Sequence, residues 1–142
     1  MEPAAQTSLS IWQIWWLAIR PKTLPAALSS VIVACALTWY DGVFRPGPAL
    51  AAMAVALLLQ IGSNLANDVF DYERGVDTEA RKGPLRVTQA GLLAPAQVKL
   101  GMKLVFVAAL ILWLYLAWTS SWYMVLVGLW AVLAAITYTG GP

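Results

Sequence analysis

Residues 64–77 read Asn64-Leu-Ala-Asn67-Asp68-Val-Phe-Asp71-Tyr-Glu-Arg-Gly-Val-Asp77, and they follow an apolar run over residues 48–61. The first four polar side chains of this stretch are spaced i, i+3, i+4 and i+7, so they share one face if the segment is helical. They are Asn64, Asn67, Asp68 and Asp71. Ionisable groups at the end of a membrane-spanning helix are costly and usually face a cavity, a partner or a metal. The stretch therefore predicts a polar site at one end of a membrane helix.

The residues that follow add a further carboxylate and several cations. The chain can turn at Gly75, which would bring Asp77 back toward the helix end. Carboxylates with amide oxygens suit a hard cation such as Mg²⁺, which keeps some waters and shares the rest of its shell with substrate phosphates. The basic residues just downstream are Arg81, Lys82 and Arg86, and such groups are suited to neutralising phosphate oxygens. The bland alternative is a solvated helix end followed by an ordinary charged loop.

Composition places the whole chain in a membrane. Of the 142 residues, 61% are hydrophobic and only 11% are charged, and the mean hydropathy is +0.71. These values are typical of a polytopic membrane protein and exclude an ordinary soluble domain. The net charge of +2 gives no reason to expect nucleic-acid binding. The chain has no histidine, which removes imidazole catalysis and disfavours a zinc or haem site.

The hydrophobic pattern predicts a single all-α membrane domain over residues 1–142. We expect a helical bundle of about four transmembrane helices, preceded by an interfacial helix on which Trp12, Trp15 and Trp16 share one side. The predicted segments are a flexible N-terminus at 1–9, the interfacial helix and a basic turn at 10–22, spans at 25–40, 48–71, 99–118 and 122–139, and an Asp/Arg-rich connection at 72–95.

The basic residues predict how the bundle is oriented. Of the nine Lys and Arg residues, only Arg45 falls on the side opposite the acidic stretch, which leaves eight on the other side. By the positive-inside rule, the N-terminus and the connection 72–95 should be cytoplasmic in a bacterial inner membrane.

Five motifs together resemble the UbiA-type family of intramembrane prenyltransferases. They are Arg-Pro-Lys-Thr-Leu-Pro-Ala-Ala at 20–27, Asn-Leu-Ala-Asn-Asp-Val-Phe-Asp at 64–71, Gly-Val-Asp-Thr at 75–78, Arg-Lys-Gly-Pro-Leu-Arg at 81–86 and Tyr-Thr-Gly-Gly-Pro at 138–142. The six-residue spacing from Asp71 to Asp77 and the Gly-Pro-x-Arg motif are most similar to the branch that prenylates 1,4-dihydroxy-2-naphthoate.

The resemblance implies a Mg²⁺-dependent transfer of a polyprenyl group from its diphosphate to an aromatic acceptor in the bilayer, with loss of CO₂ in the naphthoate branch. It implies that Asp71, Asp77 and Arg86 are catalytic. The implied Mg²⁺ ligands are Asn67, Asp71 and Asp77, supported by Asn64 and Asp68. The implied substrate contacts are Lys22, Arg81 and Arg86. Tyr138 fits either a substrate contact or an interface anchor.

The resemblance covers only the N-terminal half of the family's pattern. Family members are about twice as long, with about nine spans and a second Asp-rich motif. We therefore expect either a prenyltransferase whose activity requires a further C-terminal half or a homo-oligomer, or a non-catalytic four-span subunit or decayed relative. The acceptor could also be 4-hydroxybenzoate or another aromatic compound.

Overall fold

The computed structural model describes residues 9–75 and 85–140, except for the side chains of residues 135, 136 and 138–140. The described chain forms five α-helices: α1 (Ile11–Ile19), α2 (Leu24–Tyr40), α3 (Pro46–Glu73), α4 (Pro95–Thr119) and α5 (Tyr123–Gly140). No strand occurs in this part of the chain. The predicted all-α membrane bundle is confirmed, whereas the predicted flexible N-terminus lies outside the described residues apart from Leu9.

Three described stretches are long and apolar enough to cross a membrane. They are Ile11–Tyr40, Pro46–Glu73 and Pro95–Thr119, and Tyr123–Ala134 is a shorter apolar segment. The protein is therefore a multi-pass membrane protein. The first stretch contains both α1 and α2, which are separated by a sharp break at Arg20.

This break follows from local sequence. The helix α1 begins with a capping box, because the Ser10 hydroxyl accepts from the Gln13 N–H and the Gln13 side chain accepts from the Ser10 N–H. It ends where Arg20 adopts the left-handed conformation (φ 55°), and Pro21 then opens a short 3₁₀ turn over Pro21–Thr23. The conformation of the basic turn is therefore fixed by the left-handed backbone of Arg20 and by the 3₁₀ turn that follows it.

The tryptophans of α1 separate onto two sides, whereas the sequence pattern predicted one. Trp12 and Trp16 are exposed, but Trp15 packs over Gly101 of α4. A Cβ on Gly101 would lie 2.8 Å from the Trp15 ring, so the contact needs a glycine. Ala18 is buried as well. The helix α1 is therefore docked onto the bundle by one side, and its other side is free for the membrane interface.

The helices α3 and α4 form the centre of the bundle, and α2 and α5 pack around them. The helices α3 and α4 are in close contact at Gly62, where an added Cβ would lie 2.6 Å from the Phe106 ring. The main core cluster surrounds this contact and extends to the acidic end of α3, by which we mean residues 64–73; its most deeply buried large side chains include Leu65, Val69 and Val98. The acidic end is thus held by a packed core.

The start of α4 lies close to the acidic end of α3, and the described part of the connection packs against that end. We expected residues 72–95 to be a polar connection, but residues 85–94 form a compact, partly buried turn, which we call the docked turn. Val87 and Leu93 are buried in it, and the Val87 carbonyl accepts from the Leu92 N–H at 2.9 Å. Gly91 allows the turn through its positive φ of 67°.

Candidate active site

Asn64 links α3 to the basic turn between α1 and α2. Its side-chain amide donates to the Ile19 carbonyl at 2.7 Å and to the Thr23 hydroxyl at 2.9 Å, and its oxygen accepts from the Gln60 amide at 3.2 Å. Asn64 is only 4% exposed. The amide nitrogen and the oxygen of this side chain are thus both engaged within the protein, and they hold the turn that contains Lys22 against α3.

Asp68 binds the docked turn to α3. Its two carboxylate oxygens accept from the backbone N–H groups of Val87 and Thr88, each at 3.0 Å. Asp68 is 0% exposed, and Val87 and Thr88 are buried with it. A carboxyl group removed from water needs such donors, and two successive backbone N–H groups supply them. The described contacts of Asp68 are therefore contacts to the backbone of the turn.

Arg86 reaches from the docked turn across the end of α3. One terminal nitrogen lies 2.5 Å from the Asp71 carboxylate, and the other donates to the Asn67 carbonyl. The side chain of Arg86 is 4% exposed, whereas that of Asp71 is 21% exposed. The guanidinium is thus held inside the protein, while its carboxylate partner opens toward solvent.

Asp71 and Asn67 form the open part of the polar face. Both are partly buried, and the Asn67 side chain makes no hydrogen bond to the described residues. A carboxylate and an amide oxygen on adjacent helical turns are donors that Mg²⁺ accepts, with water completing its shell. Among the described residues, however, no three His, Cys, Asp or Glu side chains are grouped closely enough to hold a metal ion. Asn67 and Asp71 therefore fit part of a Mg²⁺ site.

Some of the predicted site residues lie outside the described part of the chain. Asp77 and Arg81 fall in residues 76–84, and the side chain of Tyr138 is not described. The assignment of Asp77 as a ligand and of Arg81 and Tyr138 as substrate contacts therefore stays a prediction. Lys22 is described and is exposed on the basic turn.

A second described ion pair joins the end of α3 to the start of α4. Lys99, in the first turns of α4, lies 2.6 Å from Glu73 at the end of α3. Both side chains are roughly two-fifths exposed, at 38% and 42%, so water weakens this pair. We assign it a minor structural role and no chemistry.

The sequence analysis did not identify the hydrogen-bond partners of Asn64 and Asp68. Thr23 and the backbone N–H groups of Val87 and Thr88 had not been singled out. The Asn64–Thr23 and Asp68–Val87 contacts join residues 41 and 19 positions apart. Helical periodicity describes which side chains share a face and contains no information on such distant contacts. The Thr at the end of the basic turn was the only local signal.

A groove at the other end of the bundle has a different character. Its volume is about 400 Å³, and its described lining is mostly apolar, with Cys35, Val43, Trp113 and Leu116 among the residues and Arg45 as the one charged side chain among those described. Arg45 donates to the Thr119 carbonyl at 3.4 Å. No carboxylate is among the described lining residues of this groove, whereas Asp71 and Arg86 lie together at the acidic end of α3.

The fold and the site thus define a multi-pass helical membrane protein with acidic and basic side chains facing each other at the end of its second long apolar stretch. The sequence model of the UbiA prenyltransferase family matches residues 27–141. The chain belongs to this family.

Curated relatives carry one enzyme name. The 1,4-dihydroxy-2-naphthoate octaprenyltransferase of Escherichia coli (strain K12) is 39% identical over 143 aligned residues, covering 96% of this chain and 46% of the relative. The proteins of that name from Haemophilus influenzae and Bacillus subtilis are 35% and 31% identical, covering 91% and 94% of this chain and 44% and 43% of the relatives. The chain therefore spans about half the length of the curated relatives it matches. No solved structure matches it significantly.

Proposed function

We propose that this chain carries the diphosphate-binding part of a membrane prenyltransferase that transfers a polyprenyl group from its diphosphate to 1,4-dihydroxy-2-naphthoate. The relatives named for that reaction support the acceptor. The observation that carries the proposal is the pairing of Arg86 with Asp71, because it places a buried cation beside an open carboxylate at the end of a membrane helix.

In this reaction the bond between the prenyl carbon and the diphosphate oxygen breaks, and the ring forms a new bond to that carbon. The Arg86 guanidinium would donate hydrogen bonds to the departing diphosphate, which lowers the energy of the charge that develops on it. Asn67, Asp71 and Asp77 would hold Mg²⁺, which when bound neutralises the diphosphate further. For the naphthoate, we propose that the ring carboxylate leaves as CO₂.

The remaining predicted contacts surround this centre. Lys22, placed by the turn that Asn64 holds, would add a positive charge on one side, and Arg81 would add one from the connection. The apolar faces of the helices and the lipid bilayer would accommodate the prenyl chain. Tyr138 would be a further substrate contact in the same proposal.

We propose that the acidic end of α3 faces the cytoplasm of a bacterium, with the protein in the inner membrane. Of the described basic residues, Arg20, Lys22, Arg74, Arg86, Lys99 and Lys103 belong to the half of the bundle that holds this end, and Arg45 belongs to the other. This asymmetry supports the orientation through the positive-inside rule.

We also propose that turnover needs helices beyond those described. The helix α2 contacts α3 on one side but has no buried residue, and its exposed positions include small residues such as Ala26 and Ser30. Small residues let membrane helices approach closely. The partner would be the part of the family fold for which this chain has no counterpart, or a second copy of the chain.

A membrane assay tests the proposal. Membranes containing the chain, alone or with the C-terminal half of the Escherichia coli relative, are given a polyprenyl diphosphate and either 1,4-dihydroxy-2-naphthoate or 4-hydroxybenzoate. We expect Mg²⁺-dependent product from the naphthoate in the combined membranes. If product formed only from 4-hydroxybenzoate, that compound would be the acceptor instead of the naphthoate.

The competing function is a non-catalytic membrane subunit. It is favoured by the fact that Asn64, Asp68 and Arg86 all make contacts within the protein. It predicts that the chain does not bind a polyprenyl diphosphate in any combination, and direct binding measurements with Mg²⁺ present separate the two functions.

A further inference from the structure

We propose that Asp68 is a positioning residue that fixes Arg86 for contact with a diphosphate, and that it is not a metal ligand. The inference rests on the proposed function, since it explains how one cation of that site is placed.

The contacts of Asp68 fix both its own carboxylate and the backbone of the docked turn. Both of its oxygens accept backbone N–H groups at 3.0 Å, and the residue is 0% exposed. Because Val87 and Thr88 are consecutive, binding both N–H groups fixes the direction of the chain as well as its position. Because Asp68 is 0% exposed, a Mg²⁺ ion that keeps some of its waters would reach this carboxylate only if the docked turn left α3.

Arg86 is the residue immediately before this fixed pair. Its backbone carbonyl accepts from the Ala90 N–H at 3.0 Å, so the turn also closes behind it. Its side chain then contacts α3 at the Asn67 carbonyl and the Asp71 carboxylate. These two α3 contacts lie on either side of Asp68 in the sequence. The three residues Asn67, Asp68 and Asp71 therefore hold the turn and the guanidinium as one unit.

Placement matters because a guanidinium binds oxyanions through a planar fork of N–H groups. A long side chain that is free in solution loses conformational entropy when a ligand immobilises it. Arg86, with a side chain only 4% exposed, is already held before any ligand binds. Asp68 therefore acts on the ligand through Arg86.

Labelling with phenylglyoxal, which modifies accessible arginines, tests the placement without any ligand. In Asp68→Asn, an NH₂ group would face one of the two backbone N–H donors, so the turn should undock. We expect the rate of modification at Arg86 to rise roughly tenfold, with no change at the exposed Arg45. Glu73→Gln, which removes the other ion pair at this end, is the matched control and should leave the rate at Arg86 unchanged. The proposal would be overturned if the rate of modification at Arg86 were unchanged in Asp68→Asn, or if the rate at Arg45 rose equally.

Hydrogen exchange in the unaltered protein provides a second test that needs no variant. The N–H groups of Val87 and Thr88 should exchange on the order of 100-fold more slowly than in a free peptide, because both are buried and bonded. Exchange at the free-peptide rate would show that Asp68 does not hold the turn.

Binding of Mg²⁺-pyrophosphate to the chain in lipid nanodiscs tests the action through Arg86. We expect Asp68→Asn and Arg86→Gln each to weaken binding and the double variant to be no weaker than Arg86→Gln alone. Additive losses would mean that Asp68 acts independently, which overturns the proposal. If the unaltered chain does not bind pyrophosphate, the proposed function fails, while labelling and exchange still decide whether Asp68 positions Arg86.

Discussion

Arg86 and Asp71 lie 2.5 Å apart, and the cation is the more buried of the two, with 4% of its side chain exposed against 21% for the carboxylate. Removing one partner of such a pair leaves the other charge poorly compensated, and the loss is greater for the buried one. The two residues should therefore respond differently to substitution, and this difference separates a structural role from a catalytic one.

Asp71→Asn should remove most prenyl transfer in membranes that contain a complete enzyme. The substitution keeps the shape of the side chain but removes the charge that would hold Mg²⁺ at the point of bond breakage. We expect a loss of about 100-fold in rate, measured as prenylated product over time. Glu73→Gln is the control, because Glu73 is exposed and pairs with Lys99, and it should lose little activity. Equal losses in both variants would contradict the assignment of Asp71.

Arg86→Lys should keep the positive charge and still lose roughly tenfold in rate, because an ammonium group cannot reproduce the planar fork. The same variant should release the contact with the Asn67 carbonyl, because Arg86 contacts its two partners through two separate nitrogens and lysine has only one. The measurement is the rate at saturating and at limiting diphosphate. Lys103→Arg is a suitable control because Lys103 is exposed on α4. Full activity in Arg86→Lys would show that Arg86 contributes only its positive charge to the orientation of the protein in the membrane.

Asn64→Ala should destabilise the protein through loss of the α1–α2 turn. The Ile19 carbonyl and the Thr23 hydroxyl would each lose a donor, and Asn64 is buried at this contact. We expect the free energy of unfolding to fall by about 1–3 kcal/mol, seen as a lower Tm in detergent. Ser29→Ala removes an exposed hydroxyl on α2 and should leave the Tm nearly unchanged. An unchanged Tm in Asn64→Ala would show that the turn is held by other contacts.

The sequence predicted the helices well because their signals are local. The predicted spans 25–40, 48–71 and 99–118 correspond to the helices Leu24–Tyr40, Pro46–Glu73 and Pro95–Thr119. The spacing of Asn64 and Asp71 also placed them on one face of a helix, as α3 requires. Apolar run length and the i, i+3, i+4 pattern are properties of a single segment, so they can be read without knowing what packs against it.

The roles within the polar face could not be predicted in the same way. By spacing, Asn64 and Asp68 are equivalent to Asn67 and Asp71, yet the first two are buried and the last two are only partly buried. The difference arises from the docked turn and the α1–α2 turn, which cover one part of α3. Asn64 binds the Ile19 carbonyl, and Asp68 binds the Val87 N–H. Every residue type except proline has a backbone N–H group, so the identity of residue 87 does not reveal that it is the partner.

Gly62→Ala should disturb the contact between α3 and α4 that supports the acidic end. An alanine Cβ would lie 2.6 Å from the Phe106 ring, so the helices would have to separate or the ring would have to move. We expect a loss of about 1–3 kcal/mol, measured as a fall in Tm. Phe106→Leu in the same chain should restore part of the loss by making room. Ser63→Ala, one residue along α3, adds no volume to the helix and should be nearly neutral.

The last prediction concerns the orientation of the bundle. If the acidic end of α3 faces the cytoplasm, a reporter that is active only in the cytoplasm should be active when fused after Gly91, in the exposed part of the docked turn, and inactive when fused after Ser121, in the turn between α4 and α5. The physical reason is the excess of Lys and Arg at the acidic end, which resists translocation. Changing Lys99 and Lys103 to Gln should weaken the preference, because both lie near this end of α4, whereas changing Arg45 to Gln at the other end should not weaken it. The opposite reporter pattern would place the acidic end outside the cell, and the proposed site would then have no access to cytoplasmic Mg²⁺ or to a water-soluble acceptor made there.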